Sequence, residues 1–198
     1  MAFFEAAVVI YLRQLYYPQG FSFPLVAIPR EILIIEICRE AATVLMLFSV
    51  AAIAARNFWE RFGYFIWLFG IWDIFFYFWL KISIGWPSTF WDWDILFLIP
   101  TPWIGPVIAP LTVSAVLALT GLSLTRLYRR GYVFRPTSLA WILALSGTAA
   151  ILFSFVHDTL ATVGFQMPKP YYFWLLIPGI VLYIIAYSHS YRRIRKSG

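Results

Sequence analysis

The chain has 198 residues, of which 62% are hydrophobic, 21% are aromatic and only 12% are charged. Soluble domains are about 45–50% apolar and about 25% charged, so this composition excludes an ordinary soluble domain. A mean hydropathy of +0.80 indicates an integral membrane protein. The single cysteine, Cys38, excludes an internal disulfide and any Cys-x-x-Cys metal or redox motif.

The N-terminal segment 2–17 is apolar, but it is shorter than the roughly 20 residues that a transmembrane helix requires. It also contains Glu5 and Arg13. The segment predicts either a sixth, short span or a helix lying in the membrane interface. It has no basic leading stretch and no small-residue cleavage site, so we expect it to be retained.

Five longer apolar segments are each long enough to cross a bilayer. They cover 31–55, 58–84, about 106–127, about 138–164 and about 171–191. We find no internal repeat and no low-complexity tail. The sequence therefore predicts an all-α, polytopic membrane helix bundle of five to six transmembrane helices, with 1–198 forming a single integral membrane domain.

The segment 92–106 interrupts this pattern, because it is apolar yet contains Asp92, Asp94 and three prolines. Each proline removes a backbone donor and disfavours helix at the preceding residue. We predict a re-entrant or interfacial segment, with a short helix at 95–99 capped by either aspartate at the outer water boundary. We expect the following turn to lie over the outer mouth of the bundle, as a rigid cap or as the wall of a ligand pocket.

Basic residues cluster at 56–61, 126–135 and 192–196, which together hold ten of the fifteen Lys and Arg residues. Alternating spans place these segments on one side, which the positive-inside rule predicts to be cytoplasmic. We expect a multi-pass protein of the plasma membrane with a cytoplasmic C-terminus. The N-terminus is cytoplasmic too if 2–17 spans, and otherwise lies outside. The net charge of +6 then reflects topology and predicts no nucleic-acid partner.

Charged side chains within the spans are the candidate site. Each costs about 2.5–3.5 kcal/mol at mid-membrane, so it normally faces the bundle and has a partner. The candidates for a ligand or ion site are Glu36, Arg39, Glu40, Asp73, Tyr77, Lys81, His157 and Asp158.

Within 31–55, Glu36, Arg39 and Glu40 are separated by one helical turn or less. They form either a self-neutralised Glu–Arg cluster or a carboxylate pair that faces the bundle. Asp73 and Lys81 share a stripe of the next helix but are about 12 Å apart, too far to pair directly. We therefore expect Arg39 to be the partner of Asp73, and Lys81 can also extend to the interface.

Two classes of function remain open. The chain is either a non-enzymatic membrane component, acting as a complex subunit or by self-association, or it has a working site for an ion, a proton or a lipid-derived substrate. A metal-dependent enzyme is a variant of the second class, with Glu40, Asp73 and His157 as weak metal candidates. The sequence has no Glu-x-x-His motif of the di-iron bundles and no G-x-S-x-G elbow. It specifies no cofactor.

Overall fold

A computed structural model describes residues 1–196. The side chains of Arg195 and Lys196, which belong to the predicted basic cluster at 192–196, lie outside the described part. The helices are α1 (Ala2–Tyr16), α2 (Arg30–Ala54), α3 (Phe58–Ile84), α4 (Ile108–Arg129), α5 (Ser138–Val156), α6 (Thr159–Val163) and α7 (Phe173–Tyr191). Four short strands form two antiparallel two-stranded sheets: β1 (Trp93–Phe97) pairs with β2 (Trp103–Pro106) as a hairpin, and β3 (Tyr132–Val133) pairs with the distant β4 (Arg195–Lys196).

Five of these helices, α2, α3, α4, α5 and α7, are long and apolar enough to cross a membrane. The prediction of an all-α, multi-pass membrane fold is confirmed. A spanning segment must satisfy its own backbone hydrogen bonds, since lipid offers none, and a continuous helix does so locally. This is why apolar length alone located the spans to within a few residues in most cases.

The helix α5 is shorter than the predicted span at 138–164, because it ends at Val156. A turn at His157 and Asp158 separates it from α6. The Asp158 carboxylate accepts a hydrogen bond from the Lys169 amide at 2.6 Å. This contact connects the turn to the segment that precedes α7. In a continuous helix the Asp158 side chain would point in a different direction.

The predicted helix at 95–99 is wrong, because residues 93–97 form β1 of an antiparallel hairpin. Aromatic and β-branched residues such as Trp93 and Ile95 favour extended backbone. Pro100 and Pro102 disfavour helix at the residues before them, so the connecting segment cannot extend a helix. We call residues 93–106 the proline hairpin. A re-entrant path for it through the bilayer is not shown.

The described residues divide into two compact units. Unit 1 comprises 1–46, 71–112 and 155–171, and unit 2 comprises 47–70, 113–154 and 172–196. The core of unit 1 is built on Ala6, Tyr77, Leu80 and Val107, all at most 4% exposed. Within it, a Cβ on Gly105 would lie 3.0 Å from the Tyr171 ring, so glycine allows the proline hairpin to pack against that ring.

The core of unit 2 is built on Ile66, Leu124 and Phe134. Its helices approach closely at glycines. A Cβ on Gly121 would lie 2.4 Å from the Gly63 carbonyl oxygen of α3, which is closer than van der Waals contact permits. Small residues at such crossings are typical of membrane helices, whose association depends on close packing of backbones.

Candidate functional site

Unit 1 contains a set of charges that we call the charged network: Glu5, Arg13, Glu36, Arg39, Glu40 and Asp94. The four acids are between 2% and 7% exposed, Arg13 is 8% exposed, and the side chain of Arg39 is 20% exposed. The members lie on three elements, namely α1, α2 and the proline hairpin, and the hydrogen bond from Tyr77 to Asp94 links them to α3. Burying so many ionised groups is costly unless each is paired or hydrogen-bonded, so their partners decide what the network can do.

The first centre of the network joins α1 to α2. Arg39 forms salt bridges with Glu36, at 2.7 Å, and with Glu5. The second oxygen of the Glu5 carboxylate accepts a hydrogen bond from the Thr43 hydroxyl at 3.0 Å. One guanidinium is therefore shared by two carboxylates, as the self-neutralised alternative for α2 predicted, with Glu5 as a further member from α1.

The second centre joins α1 to the proline hairpin. Arg13 Nη2 lies 2.8 Å from Asp94 Oδ1, and the Tyr77 hydroxyl donates to Asp94 Oδ2 at 3.2 Å. The Ile95 amide also donates to Asp94 Oδ1, at 2.9 Å. Burial raises the pKa of Asp94 above its ordinary value, and Arg13 opposes this shift by favouring the ionised form.

Arg13 also lies over aromatic rings. Its guanidinium carbon is 3.7 Å from the centre of the Trp86 ring and 4.5 Å from that of Phe21. Its Nη1 is buried and, among the described residues, makes no hydrogen bond. The faces of the two rings supply electrostatic stabilisation in place of hydrogen bonds.

Glu40 anchors the tip of the proline hairpin. Its Oε2 accepts a hydrogen bond from the Leu98 amide at 2.8 Å. On the other arm of the hairpin, the Pro102 carbonyl accepts from the Thr159 hydroxyl at 2.6 Å. With the Asp94 contacts, three separate points therefore hold the hairpin to the rest of unit 1.

Two further candidate residues, Asp73 and Lys81, are not members of the charged network. Asp73 is half-buried and acts electrostatically on Tyr77. The salt bridges of Arg39 are with Glu5 and Glu36, where the sequence predicted Asp73. Lys81 is exposed and donates to the carbonyls of Gly85 and Pro87, at the end of α3.

Asp92 and Asp94 were both expected at the outer water boundary, and this is wrong for Asp94, which is buried within unit 1 and 2% exposed. Asp92 is less buried and closes a turn, accepting hydrogen bonds from the Ser88 amide at 2.6 Å and the Thr89 hydroxyl at 2.7 Å. Its partial burial raises its pKa, but these hydrogen bonds more than compensate, so that the pKa lies below its ordinary value.

Histidine and acids do not form a metal centre in residues 1–196, where no three His, Cys, Asp or Glu side chains are grouped closely enough to hold a metal ion. The weak metal candidates Glu40, Asp73 and His157 are thus not brought together as one ligand set. His157 is half-buried in the turn after α5, beside the buried Asp158.

Sequence reasoning missed the roles of Glu5, Arg13 and Asp94 as network members. A signal was present for two of them, since Glu5 and Arg13 are charges in an apolar helix, eight residues apart and so on related faces. For Asp94 the signal was ambiguous, because an aspartate that directly follows a tryptophan is as typical of a membrane interface as of a buried site.

In the described part of the chain, unit 2 contains two cavities. The larger, of about 320 Å³, is lined mainly by aromatic and aliphatic side chains, and the smaller, of about 260 Å³, includes two arginines. Neither is lined by a residue of the charged network.

The chain matches no family model, no curated protein and no solved structure.

Proposed function

We propose that this chain is a non-enzymatic, multi-pass membrane component, and that the charged network stabilises its fold. The observation that carries the proposal is the pairing within the network. Asp94 is met by Arg13, Tyr77 and a backbone amide, while Glu5 and Glu36 share Arg39. A catalytic group needs access to a substrate, whereas these groups bind one another.

Pairing of this kind has a structural use. The three longest-range contacts of the network join residues 81, 58 and 38 positions apart, namely Arg13 with Asp94, Leu98 with Glu40, and Thr43 with Glu5. Buried polar contacts specify one arrangement among several that have similar apolar packing, because a mismatched arrangement leaves charges unpaired. The network thus fixes where α1 and the proline hairpin lie on unit 1.

The apolar exterior supports a role as a complex subunit or in self-association. On α1, Phe4 and Leu15 are each 73% exposed, although the opposite side of the helix is buried through Glu5 and Arg13. At about 22 Å, α1 is shorter than the hydrocarbon core of a bilayer. Its exposed face is available to lipid or to a neighbouring subunit.

We further propose the plasma membrane as its location, with a cytoplasmic C-terminus, on the strength of the three basic segments. The chain is expected to form a single integral membrane domain. Fusion of a fluorescent protein or of alkaline phosphatase to the C-terminus tests the orientation. Fluorescence without phosphatase activity is expected, and the reverse pattern would contradict the assignment.

The main test compares assembly with transport. We expect the protein, extracted in a mild detergent and weighed by native mass spectrometry, to form particles larger than the 23.0 kDa chain. In proteoliposomes it should not increase proton, sodium or potassium flux above that of empty vesicles. A strictly monomeric protein that conducts any of these ions would refute the proposal.

A second candidate function, a proton-binding site at Glu40, is favoured by the charge balance of the network. The network contains four buried acids and two arginines, so full ionisation would leave it with two negative charges. Glu40 is 6% exposed, and among the described residues it forms a hydrogen bond with an amide but no salt bridge. A proton flux into vesicles that is lost in Glu40→Gln would support this function, whereas equal flux in both proteins would exclude Glu40 as the carrier.

A further inference from the structure

Unit 2 has a groove at the end of α4 that the proposed function does not use. We call it the basic groove, and it has a volume of about 260 Å³. Its lining residues are Leu119, Leu122, Ser123, Arg126, Leu127, Arg130 and Tyr191.

The lining residues from α4 are Leu119, Leu122, Ser123, Arg126 and Leu127, and residues three and four positions apart in this set share one face of the helix. The composition of this face changes along its length. Leu119 and Leu122 lie at its apolar end. The exposed side chains of Arg126, in the last turn of α4, and Arg130, directly after the helix ends, lie at its basic end. The distance along the axis from Leu119 to Arg130 is about 16 Å.

The opposite wall of the groove comes from the end of α7. Tyr191, which is 49% exposed, brings a phenol hydroxyl to the basic end. The neighbouring Tyr187 donates a hydrogen bond to Ser123 at 2.6 Å, and its ring contacts that of Tyr191. This link between α4 and α7 holds the two walls together without a ligand.

The positive charge of unit 2 favours an anionic ligand in the basic groove. Its sequence contains ten Lys and Arg residues and one acid, Glu60. Arginines in pairs suit phosphate oxygens, because the guanidinium presents several donors in one plane. A free phosphate would use the basic end only and leave the apolar end, where Leu119 is 69% exposed, without a partner.

We propose that the basic groove binds an acidic phospholipid, with its phosphate between Arg126 and Arg130 and an acyl chain along Leu119 and Leu122. The change from apolar to basic along one face of a spanning helix corresponds to the change from acyl chain to headgroup in a bilayer. Basic pockets between membrane helices recognise acidic lipid headgroups in this way.

The test is lipid retention by the full-length protein, measured by native mass spectrometry after titration with dioleoyl-phosphatidylglycerol or dioleoyl-phosphatidylcholine. The wild type should retain the acidic lipid in preference to the zwitterionic one. Arg126→Gln with Arg130→Gln should weaken this retention by roughly tenfold or more. The matched control, Arg56→Gln with Arg135→Gln, removes the same charge from exposed positions outside the groove and should behave as the wild type.

Three results would overturn the proposal. They are equal retention of both lipids by the wild type, equal loss in the two double variants, and full competition by millimolar inorganic phosphate, which would identify an anion site without lipid specificity. If the Gln variant does not fold, Leu122→Phe serves instead, because it fills the groove and keeps both arginines. Leu122→Phe should also weaken retention, and wild-type retention by a folded Leu122→Phe protein would refute the assignment.

Discussion

Removal of either partner of the Arg13–Asp94 pair should destabilise the protein far more than removal of both. The two side chains are 8% and 2% exposed and lie 2.8 Å apart. Arg13→Met keeps an unbranched apolar chain in place of the aliphatic part of arginine but leaves a buried carboxylate without its cation. Asp94→Asn keeps the shape of the side chain and an oxygen that can accept from the Ile95 amide, but leaves a buried guanidinium without its anion.

The magnitude follows from the burial of the pair. Leaving one charge of a buried pair uncompensated costs about 3–5 kcal/mol, so the two single variants should together lose about 6–10 kcal/mol. The double variant leaves no buried charge at this position and loses only hydrogen bonds, at about 1–2 kcal/mol. The coupling energy between the two positions should therefore be about 4 kcal/mol or more in favour of the pair.

The assay is reversible unfolding of the purified protein in mixed micelles, followed by the fluorescence of its ten tryptophans. The free energy of unfolding is measured for the wild type, both single variants and the double variant. Arg135→Met is the matched control, because Arg135 is exposed and its loss should change stability by less than about 0.5 kcal/mol.

Additive effects would refute this reasoning. If the double variant loses as much as the two single variants together, then Arg13 and Asp94 do not stabilise one another in the folded protein. The charged network would then have to be explained by interactions of each residue with other groups, such as the Trp86 ring for Arg13.

Three further predictions concern other parts of the chain. The lowered pKa of Asp92 means that its carboxylate stabilises the fold fully above the ordinary aspartate pKa of about 3.9 and progressively less as the pH falls through the lower folded value. The melting temperatures of wild type and Asp92→Asn should accordingly converge below about pH 4, and a constant difference would contradict this. Gly121→Ala should lower the free energy of unfolding by about 1–3 kcal/mol, because the alanine Cβ would collide with the Gly63 carbonyl oxygen. An unchanged free energy of unfolding would show that the two helices can move apart without cost. Glu40→Leu should lower the free energy of unfolding by about 1–3 kcal/mol more than Glu40→Gln, since glutamine can still accept a hydrogen bond from the Leu98 amide. Equal losses in the two variants would show that this hydrogen bond is unimportant for stability.

Local chemistry made the spans predictable. Each spanning helix forms its backbone hydrogen bonds within its own segment. The length of an apolar run is therefore enough to predict a helix such as α3 at 58–84. The end of α5 was less predictable, since residues 157–164 are apolar enough to continue a helix, and the hydrogen bond between Asp158 and Lys169 depends on a segment eleven positions away.

The candidate site was predicted in part. Glu36, Arg39 and Glu40 were identified as charges in an apolar helix, and the Glu36–Arg39 pair followed from their spacing of three residues. The partners from other elements could not be identified from spacing, because a charge in one helix can pair with any opposite charge at a similar depth. Arg39 thus pairs with Glu5, and the choice depends on where α1 packs.

The sequence by itself determined the membrane class, the five spanning helices and the presence of charges that need partners, because composition and helical periodicity are local properties. Only the tertiary structure decided that 93–106 is a hairpin and that Asp94 is buried against Arg13, 81 residues away in the chain. Strand pairing and ion pairing both join distant residues, and their free energy depends on distances and burial that no local pattern records. The prolines of the hairpin excluded a helix, but its attachment to Arg13, Glu40 and Thr159 gave it a definite position.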